Sequence, residues 1–188
     1  MIVELTEKDV EKARECADRR NKHNQAHIRD QRVAADRTSF EVDLNGALAE
    51  LAVVKMTGYS WYFFEERFWE KRKKDRDPDV GPIEVKTNNK RFKTHLLLYQ
   101  RDGIDQRPYL LAIPIGDNRF EMIGWRFGFE CRKKRYWMAD WPRPCFAVPD
   151  KDLYSVESLE KWCISHNHEP WTHRHDQGAP SRRSSRTI

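Results

Sequence analysis

Apolar and polar positions recur at helical spacing in the first part of the chain and predict two helices. Thr6 has the side chain of an N-cap, an acidic first turn follows it, and helix-forming residues continue to about Arg20. The second helix is predicted from Ser39, as its N-cap, to Gly58, as its C-cap. The chain therefore opens with a helical region.

The second predicted helix carries an acidic residue beside its apolar positions. Leu44, Leu48 and Leu51 recur every three or four residues and form one stripe, and Glu50 lies on the neighbouring stripe. We therefore expect Glu50 at the edge of a largely apolar helix, where its carboxylate can join a site formed with other elements.

Short runs of β-branched and aromatic residues, separated by turn residues, predict strands in the middle of the chain. The pair Gly81–Pro82 divides residues 77–87 into two short runs and predicts a hairpin. The other predicted elements are a strand or packed loop at 61–64, strands at 95–99, 108–115 and 119–127, and a short helix at 155–164 capped by Ser155. This order predicts an α+β fold with N-terminal helices, a central mixed sheet and a C-terminal helix.

The length of 188 residues fits a single domain, because chains usually divide only beyond about 250 residues. We expect that domain at residues 1–171, with an N-terminal helical region at 1–38 and a core at 39–164. Residues 172–188 have the composition of a loop and an excess of arginine, which predicts a disordered basic tail.

The composition argues against a membrane-embedded protein. Charged residues make up 35% of the chain, the mean hydropathy is −0.92, and no apolar run approaches the roughly 20 residues that span a bilayer. Charged residues follow Met1 in the place of a hydrophobic signal segment, so we expect a cytoplasmic protein. The four cysteines are widely spaced and form no CxxC pair, which predicts free thiols.

Basic residues exceed acidic residues by a formal charge of +5, and many of them are clustered. One cluster precedes the predicted hairpin and another follows it. The candidate nucleic-acid-binding residues in these clusters are Lys71, Lys73, Lys74, Lys90, Arg91 and Lys93. Such clusters fit a polyanionic partner such as nucleic acid, although a solvated surface is the commoner explanation of any single one.

The predicted hairpin fixes which side chains face each other. With Gly81–Pro82 as the two central turn residues, Val80 faces Ile83 and Asp79 faces Glu84. Directly opposed side chains in such a pair have Cβ atoms about 5 Å apart. The register therefore predicts two carboxylates in close proximity.

Opposed carboxylates repel each other, and a divalent cation would remove that repulsion. Asp79 and Glu84 can share one Mg²⁺, which prefers oxygen ligands and retains water molecules, one of which can serve as a nucleophile. Lys86 lies on the same side of the strand as Glu84, where its ammonium could orient water and stabilise developing negative charge. Glu50 can supply a third carboxylate. The alternative is a helix-surface ion pair for Glu50 and an ordinary polar strand face at the hairpin, with no metal.

Pro78–Asp79, the run Glu84–Val85–Lys86 and the upstream helical Glu50 resemble the signature of the PD-(D/E)XK nuclease superfamily. The resemblance covers roughly residues 39–160. Within the superfamily, these residues are similar to small phage- or prophage-encoded members. It implies a restriction-endonuclease-type αβββαβ core and Mg²⁺-dependent cleavage of nucleic-acid phosphodiesters. It also implies the site roles: Glu50, Asp79 and Glu84 as catalytic metal ligands, and Lys86 as the catalytic lysine.

The sequence supports two functions from different classes. The main hypothesis is a hydrolase, an Mg²⁺-dependent nuclease that acts on DNA, with Mn²⁺ able to substitute and a homodimer possible. For a phage-encoded member the location would be the host cytoplasm. The alternative is a nucleic-acid-binding or structural protein on the same scaffold, whose acidic site is not catalytic.

Overall fold

The computed structural model describes residues 1–26, 38–61, 78–88, 94–100, 102, 106–116, 118–168 and 170–171. The helices in these ranges are α1 (Glu7–Ala26), α2 (Ser39–Thr57), α3 (Gly128–Cys131) and α4 (Val156–Ser165). The strands in the same ranges are β1 (Ile2–Glu4), β2 (Glu84–Thr87), β3 (His95–Leu98), β4 (Pro108–Pro114), β5 (Arg119–Phe127), β6 (Trp137–Met138) and β7 (Cys145–Pro149). Two single-turn 3₁₀ helices, Lys134–Tyr136 and Asp150–Asp152, flank β6 and β7.

Helix α1 begins where the sequence predicts it. The backbone N–H of Asp9 donates to Thr6 Oγ1 at 3.3 Å, and the backbone N–H of Thr6 donates to the Asp9 carboxylate at 2.8 Å. This reciprocal pair of hydrogen bonds satisfies backbone N–H groups that have no acceptor within the helix. The helix continues beyond Arg20, where the predicted run of helix-forming residues ends, and reaches Ala26 through a polar segment that has no clear helical pattern of its own. Packing of α1 along α2 stabilises this longer helix.

Helix α2 differs from its prediction at one end only. Its N-cap is Thr38 and not Ser39, because Thr38 forms a capping box with Glu41, in which each side chain accepts from the other residue's backbone N–H. Its C-cap is Gly58, as predicted, with φ of 72° and its N–H donating to the carbonyl of Val54 at 2.7 Å. Helix α4 is capped by Ser155, also as predicted.

The central sheet is mixed, with the strand order β1-β5-β4-β2. Strands β1, β5 and β4 pair in antiparallel fashion, and β2 pairs in parallel with β4. In that parallel pair Glu84 lies beside Tyr109 and Lys86 beside Leu111. The predicted α+β class, with helices, a mixed sheet and a C-terminal helix, is confirmed.

A second sheet, with the order β3-β7-β6, is a feature that the sequence analysis did not predict. Strand β3 was predicted as a strand, but it pairs with β7 in this sheet and not with the central one. The connection from β2 to its parallel neighbour β4 therefore runs through the second sheet, and its described residues contain no helix.

Apolar side chains form two buried clusters on the two sides of β4. The first lies between the central sheet and helices α1, α2 and α4 and includes Leu110 and Leu159. The second lies between the two sheets and includes Leu111 and Leu96. Because successive side chains of a strand point to opposite faces, neighbouring residues of β4 belong to different clusters.

Three further expectations concern the whole chain. All four cysteines are buried free thiols, as predicted. Within the described ranges, none of the helices combines the length and the apolar character needed to span a bilayer. The predicted tail, residues 172–188, and most of the aromatic run 61–64 lie outside the described residues.

Candidate functional site

The turn before β2 has the predicted central residues. Val80 and Ile83 exchange two backbone hydrogen bonds, of 3.0 and 2.8 Å, across Gly81–Pro82. Gly81 has a φ of 53°, and a Cβ at this position would lie 2.6 Å from Cγ of Tyr59. Glycine is therefore required here both by the backbone conformation and by the close approach of an aromatic ring.

Asp79 reaches β2 by a different contact from the one that the register predicts. The hydrogen-bonded pairing described for the hairpin is that of Val80 with Ile83, and it does not extend to Asp79 and Glu84. Instead, Oδ2 of Asp79 accepts the backbone N–H of Val85 at 2.9 Å. Asp79 thereby binds to the start of β2, and its carboxylate still lies near that of Glu84.

Lys86 lies between two carboxylates. Its Nζ donates to Oε1 of Glu84 at 3.2 Å and lies 3.7 Å from Oδ1 of Asp102. The second oxygen of Glu84 lies 3.7 Å from a guanidinium nitrogen of Arg107. Lys86 also lies 5.6 Å from the ring centroid of Tyr109, which is the β4 neighbour of Glu84. The lysine is therefore held in place by contacts with its own strand, with the connection between β3 and β4, and with β4.

Glu50 is buried, at 6% exposure, and its carboxylate accepts three hydrogen bonds. The alternative of an ion pair at the helix surface was therefore wrong, because the ion pair that Glu50 forms with Arg20 is removed from solvent. Arg20 of helix α1 donates to both of its oxygens, at 2.8 and 2.6 Å, and Nε1 of Trp61 donates to Oε2 at 2.8 Å. A bidentate guanidinium pair of this kind is among the strongest hydrogen-bonded arrangements in proteins.

The charges of the site act on one another. Burial raises the pKa of Asp79 well above its ordinary value, and the negative charges of Glu84 and Glu50 raise it further. Burial alone would lower the pKa of Lys86, but the negative charges of Glu84 and Asp102 outweigh it and raise that pKa above its usual value. Lys86 is therefore a firmly protonated ammonium.

Burial and the charge of Glu84 also raise the pKa of Tyr109 to about 12. The described part of the site holds more carboxylates than cations: Glu50, Asp79, Glu84 and Asp102 against Arg20, Lys86 and Arg107.

These residues fit a divalent cation in part. Among the described residues, no three His, Cys, Asp or Glu side chains stand in an arrangement that could hold a metal ion together. The donor chemistry of Asp79 and Glu84 does fit a hard cation, because their carboxylates lie near each other and are both only partly exposed. Glu50 does not fit in this arrangement, because Arg20 and Trp61 already bind its oxygens.

The structure brings together the four residues predicted for the site. Glu50, Glu84 and Lys86 all act electrostatically on Asp79. The six candidate nucleic-acid-binding residues lie outside the described residues: Lys71, Lys73, Lys74, Lys90, Arg91 and Lys93.

Sequence reasoning missed three participants, namely Arg20, Asp102 and Arg107. Asp102 is fixed by the backbone N–H of Tyr99, which donates to Oδ2 at 2.7 Å. Nothing in the local pattern of these residues marks them, since their contacts arise from the packing of distant segments. The one available signal was the unusual apolar surroundings of Glu50, which require a buried cationic partner.

Comparison of the chain with protein-family models, with curated protein sequences and with solved structures finds no match.

Proposed function

We propose that this protein is a divalent-metal-dependent nuclease that hydrolyses phosphodiester bonds, with DNA as its substrate. The proposal is supported by Asp79, which precedes the Gly81–Pro82 turn, and by Glu84 and Lys86 of β2, which lie close to it. Lys86 and Arg107 balance part of the charge of Glu84, and a divalent cation would remove the remaining repulsion between Asp79 and Glu84. A phosphodiester needs both positive charge and an activated water to be cleaved.

Each residue has a distinct part in this proposal. Asp79 and Glu84 would hold the divalent cation, which supplies positive charge to a phosphate oxygen and lowers the pKa of a water ligand. Lys86 contributes a fixed ammonium, which stabilises the additional negative charge that develops at the phosphate. Asp102 and Tyr109 fix the position of that ammonium.

The observation that carries the proposal is the environment of Asp79. Asp79 is a partly buried carboxylate whose Oδ2 accepts the backbone N–H of Val85 at 2.9 Å, and its pKa is raised first by loss of solvent and then by the charges of Glu84 and Glu50. Like charges at short distance destabilise the folded state. Carboxylates whose pKa is perturbed in this way concentrate at functional sites.

The test is a cleavage panel on purified protein. Plasmid, linear duplex, single-stranded and four-way-junction DNA, together with RNA, are incubated with Mg²⁺, with Mn²⁺ or with EDTA. We expect cleavage of at least one DNA substrate that requires the cation, and we expect Asp79→Asn and Glu84→Gln to abolish it with binding of nucleic acid retained.

Asp140→Asn is the matched control, because it makes the same chemical change at an exposed carboxylate. It should cut at the wild-type rate. Cleavage that persists in EDTA, or in the Asp79→Asn, Glu84→Gln double variant, would contradict the assigned site.

One observation favours the alternative, a nucleic-acid-binding or structural protein without catalysis. Glu50 is paired with Arg20, and Glu84 with Lys86, so much of the charge is balanced without a metal. For this alternative, divalent cations would leave both nucleic-acid binding and thermal stability unchanged, and no substrate of the panel would be cut.

A further inference from the structure

The guanidinium of Arg20 occupies the side of the site that is formed by helices α1 and α2. Arg20 extends from α1 to Glu50 on α2, and its two terminal nitrogens each donate to one carboxylate oxygen. The side chains of Arg20 and Glu50 are 18% and 8% exposed, so the pair is largely removed from solvent. Trp61 adds a third hydrogen bond to the same carboxylate.

The charge of Arg20 also reaches the hairpin side of the site. Burial alone would lower the pKa of Arg20, but the negative charge of Glu50 outweighs it and that of Asp79 adds to it, so the pKa of the guanidinium is raised. Arg20 therefore interacts with both of the carboxylates that flank it. A cation of fixed position therefore already binds both of the carboxylate oxygens that Glu50 could offer to a metal.

We propose that the guanidinium of Arg20 permanently supplies the positive charge next to Glu50, and we call it the resident cation. A divalent cation then binds to Asp79 and Glu84 and not to Glu50. This inference rests on the proposed metal-dependent activity and deepens it. Arg20 limits the site to the hairpin carboxylates, because it occupies both oxygens of Glu50 and repels a second positive charge nearby. Glu50 acts as a positioning residue for Arg20, and Arg20 sets the number of carboxylates that the metal can use.

The test measures Mn²⁺ binding by calorimetry on metal-free protein, and it does not depend on cleavage. Arg20→Gln removes the resident cation and releases Glu50, so we expect Mn²⁺ to bind about tenfold more tightly or better. In the double variant Arg20→Gln, Glu50→Gln the pair is replaced by two neutral amides, and we expect an affinity within about threefold of the wild type.

Arg19→Gln is the matched control. Arg19 is the neighbouring residue on α1, it is half-exposed, and it pairs with Glu15 on the helix surface. This variant makes the same change in net charge without touching Glu50, so its Mn²⁺ affinity should equal that of the wild type.

The double variant keeps the inference testable if Arg20→Gln fails to fold. If the double variant binds Mn²⁺ about tenfold more weakly than the wild type, Glu50 is a native metal ligand and the inference is overturned. Unchanged affinity in a folded Arg20→Gln protein overturns it as well. If the wild type itself binds no Mn²⁺, the proposed function fails and the inference fails with it, which is a distinct outcome.

Discussion

The side chains of the site differ in how fully their charges are balanced. Glu50 has a bidentate cationic partner and an indole donor, whereas Asp79 accepts one backbone N–H, lies near two other carboxylates and interacts favourably with the charges of Lys86 and Arg20. The electrostatic cost of the site is therefore concentrated at Asp79, because loss of solvent and the two like charges outweigh the favourable interactions and raise its pKa.

The first residue-scale prediction concerns Asp79 and pH. An ordinary aspartate ionises near 3.8, and burial with the charges of Glu84 and Glu50 raises this pKa in the folded protein. Between the two values the folded state binds more protons than the unfolded state, so the free energy of unfolding of the wild type falls as the pH rises. Asp79→Asn lacks this titration, and its stability relative to the wild type should increase as the pH rises above 3.8, the ordinary pKa of aspartate.

Urea unfolding in EDTA-containing buffer across this range checks the prediction. EDTA is required because a bound cation favours the ionised carboxylate and would offset the effect. Asp140→Asn, at an exposed position, supplies the baseline for the same chemical change. If the stability of Asp79→Asn relative to the wild type stays constant or falls as the pH rises, the pKa of Asp79 is not raised in the folded protein.

The second residue-scale prediction concerns Lys86. Its ammonium is held by Glu84 and Asp102, so its position is fixed before any substrate binds. Lys86→Ala should lower the cleavage rate by about 10²-fold or more, as for a lost electrostatic stabiliser, with the fold retained. Lys86→Arg should rescue poorly, because a planar guanidinium does not occupy the place of a compact ammonium.

Single-turnover cleavage rates measure this effect, and circular dichroism verifies the fold. Lys133→Ala removes an exposed lysine and serves as the control. Cleavage by Lys86→Ala at the wild-type rate would exclude a catalytic role for Lys86 even if Asp79 and Glu84 bind metal.

At the same scale, the sequence was informative about residues that are neighbours along the chain. The alternation of a strand is enough to place Glu84 and Lys86 on one face, and the Gly81–Pro82 turn is enough to bring Asp79 close. Arg20 and Asp102 could not be predicted in the same way. Their contacts depend on the packing of α1 on α2 and on the path of the connection between β2 and β4, and no local pattern encodes either.

At the scale of elements, helix ends that are marked by a capping residue were easier to predict than the partners of the strands. Capping residues and turn glycines act locally, so the start of α1 and the end of α2 follow from a few side chains. Strand β3 was predicted at the right place, but periodicity does not specify the sheet that a strand joins. The second sheet is therefore a result of tertiary packing between β3 and β7.

The element-scale prediction concerns the turn before β2. Gly81→Ala adds a Cβ at a positive φ and 2.6 Å from the Tyr59 ring, and should lower the free energy of unfolding by about 2–4 kcal/mol. Gly116 is the matched control, since it also has a positive φ, of 93°, but no atom of the described residues outside its chain neighbours lies within 4 Å of the added Cβ.

Gly116→Ala should therefore lower the free energy of unfolding by only about 1 kcal/mol, the backbone contribution alone. Urea midpoints of the two variants separate the contact with Tyr59 from the cost of the backbone conformation. If the two variants lose the same free energy of unfolding, the ring of Tyr59 moves aside at no cost in stability.

At the scale of the whole molecule, β4 contributes side chains to both buried clusters, and the site lies beside it. Leu110 packs toward α2, which carries Glu50, and Leu111 packs toward the second sheet. The parallel neighbour β2 is divided in the same way, with Val85 in the first cluster and Lys86 beside Leu111. The site therefore lies where the two clusters meet, and its geometry depends on both.

The last prediction follows from this shared strand. Leu110 and Leu111 are both fully buried, so Leu110→Ala and Leu111→Ala should each lower the free energy of unfolding by about 2–5 kcal/mol. Because one strand contributes to both clusters, each variant should unfold in a single transition, with coincident curves from tryptophan fluorescence and far-ultraviolet circular dichroism. Ile164→Ala, at a side chain that is 59% exposed, should change stability by about 0.5 kcal/mol or less. If the second sheet were an independent unit, Leu111→Ala would instead produce an early, separate transition, while Leu110→Ala would shift only the later one.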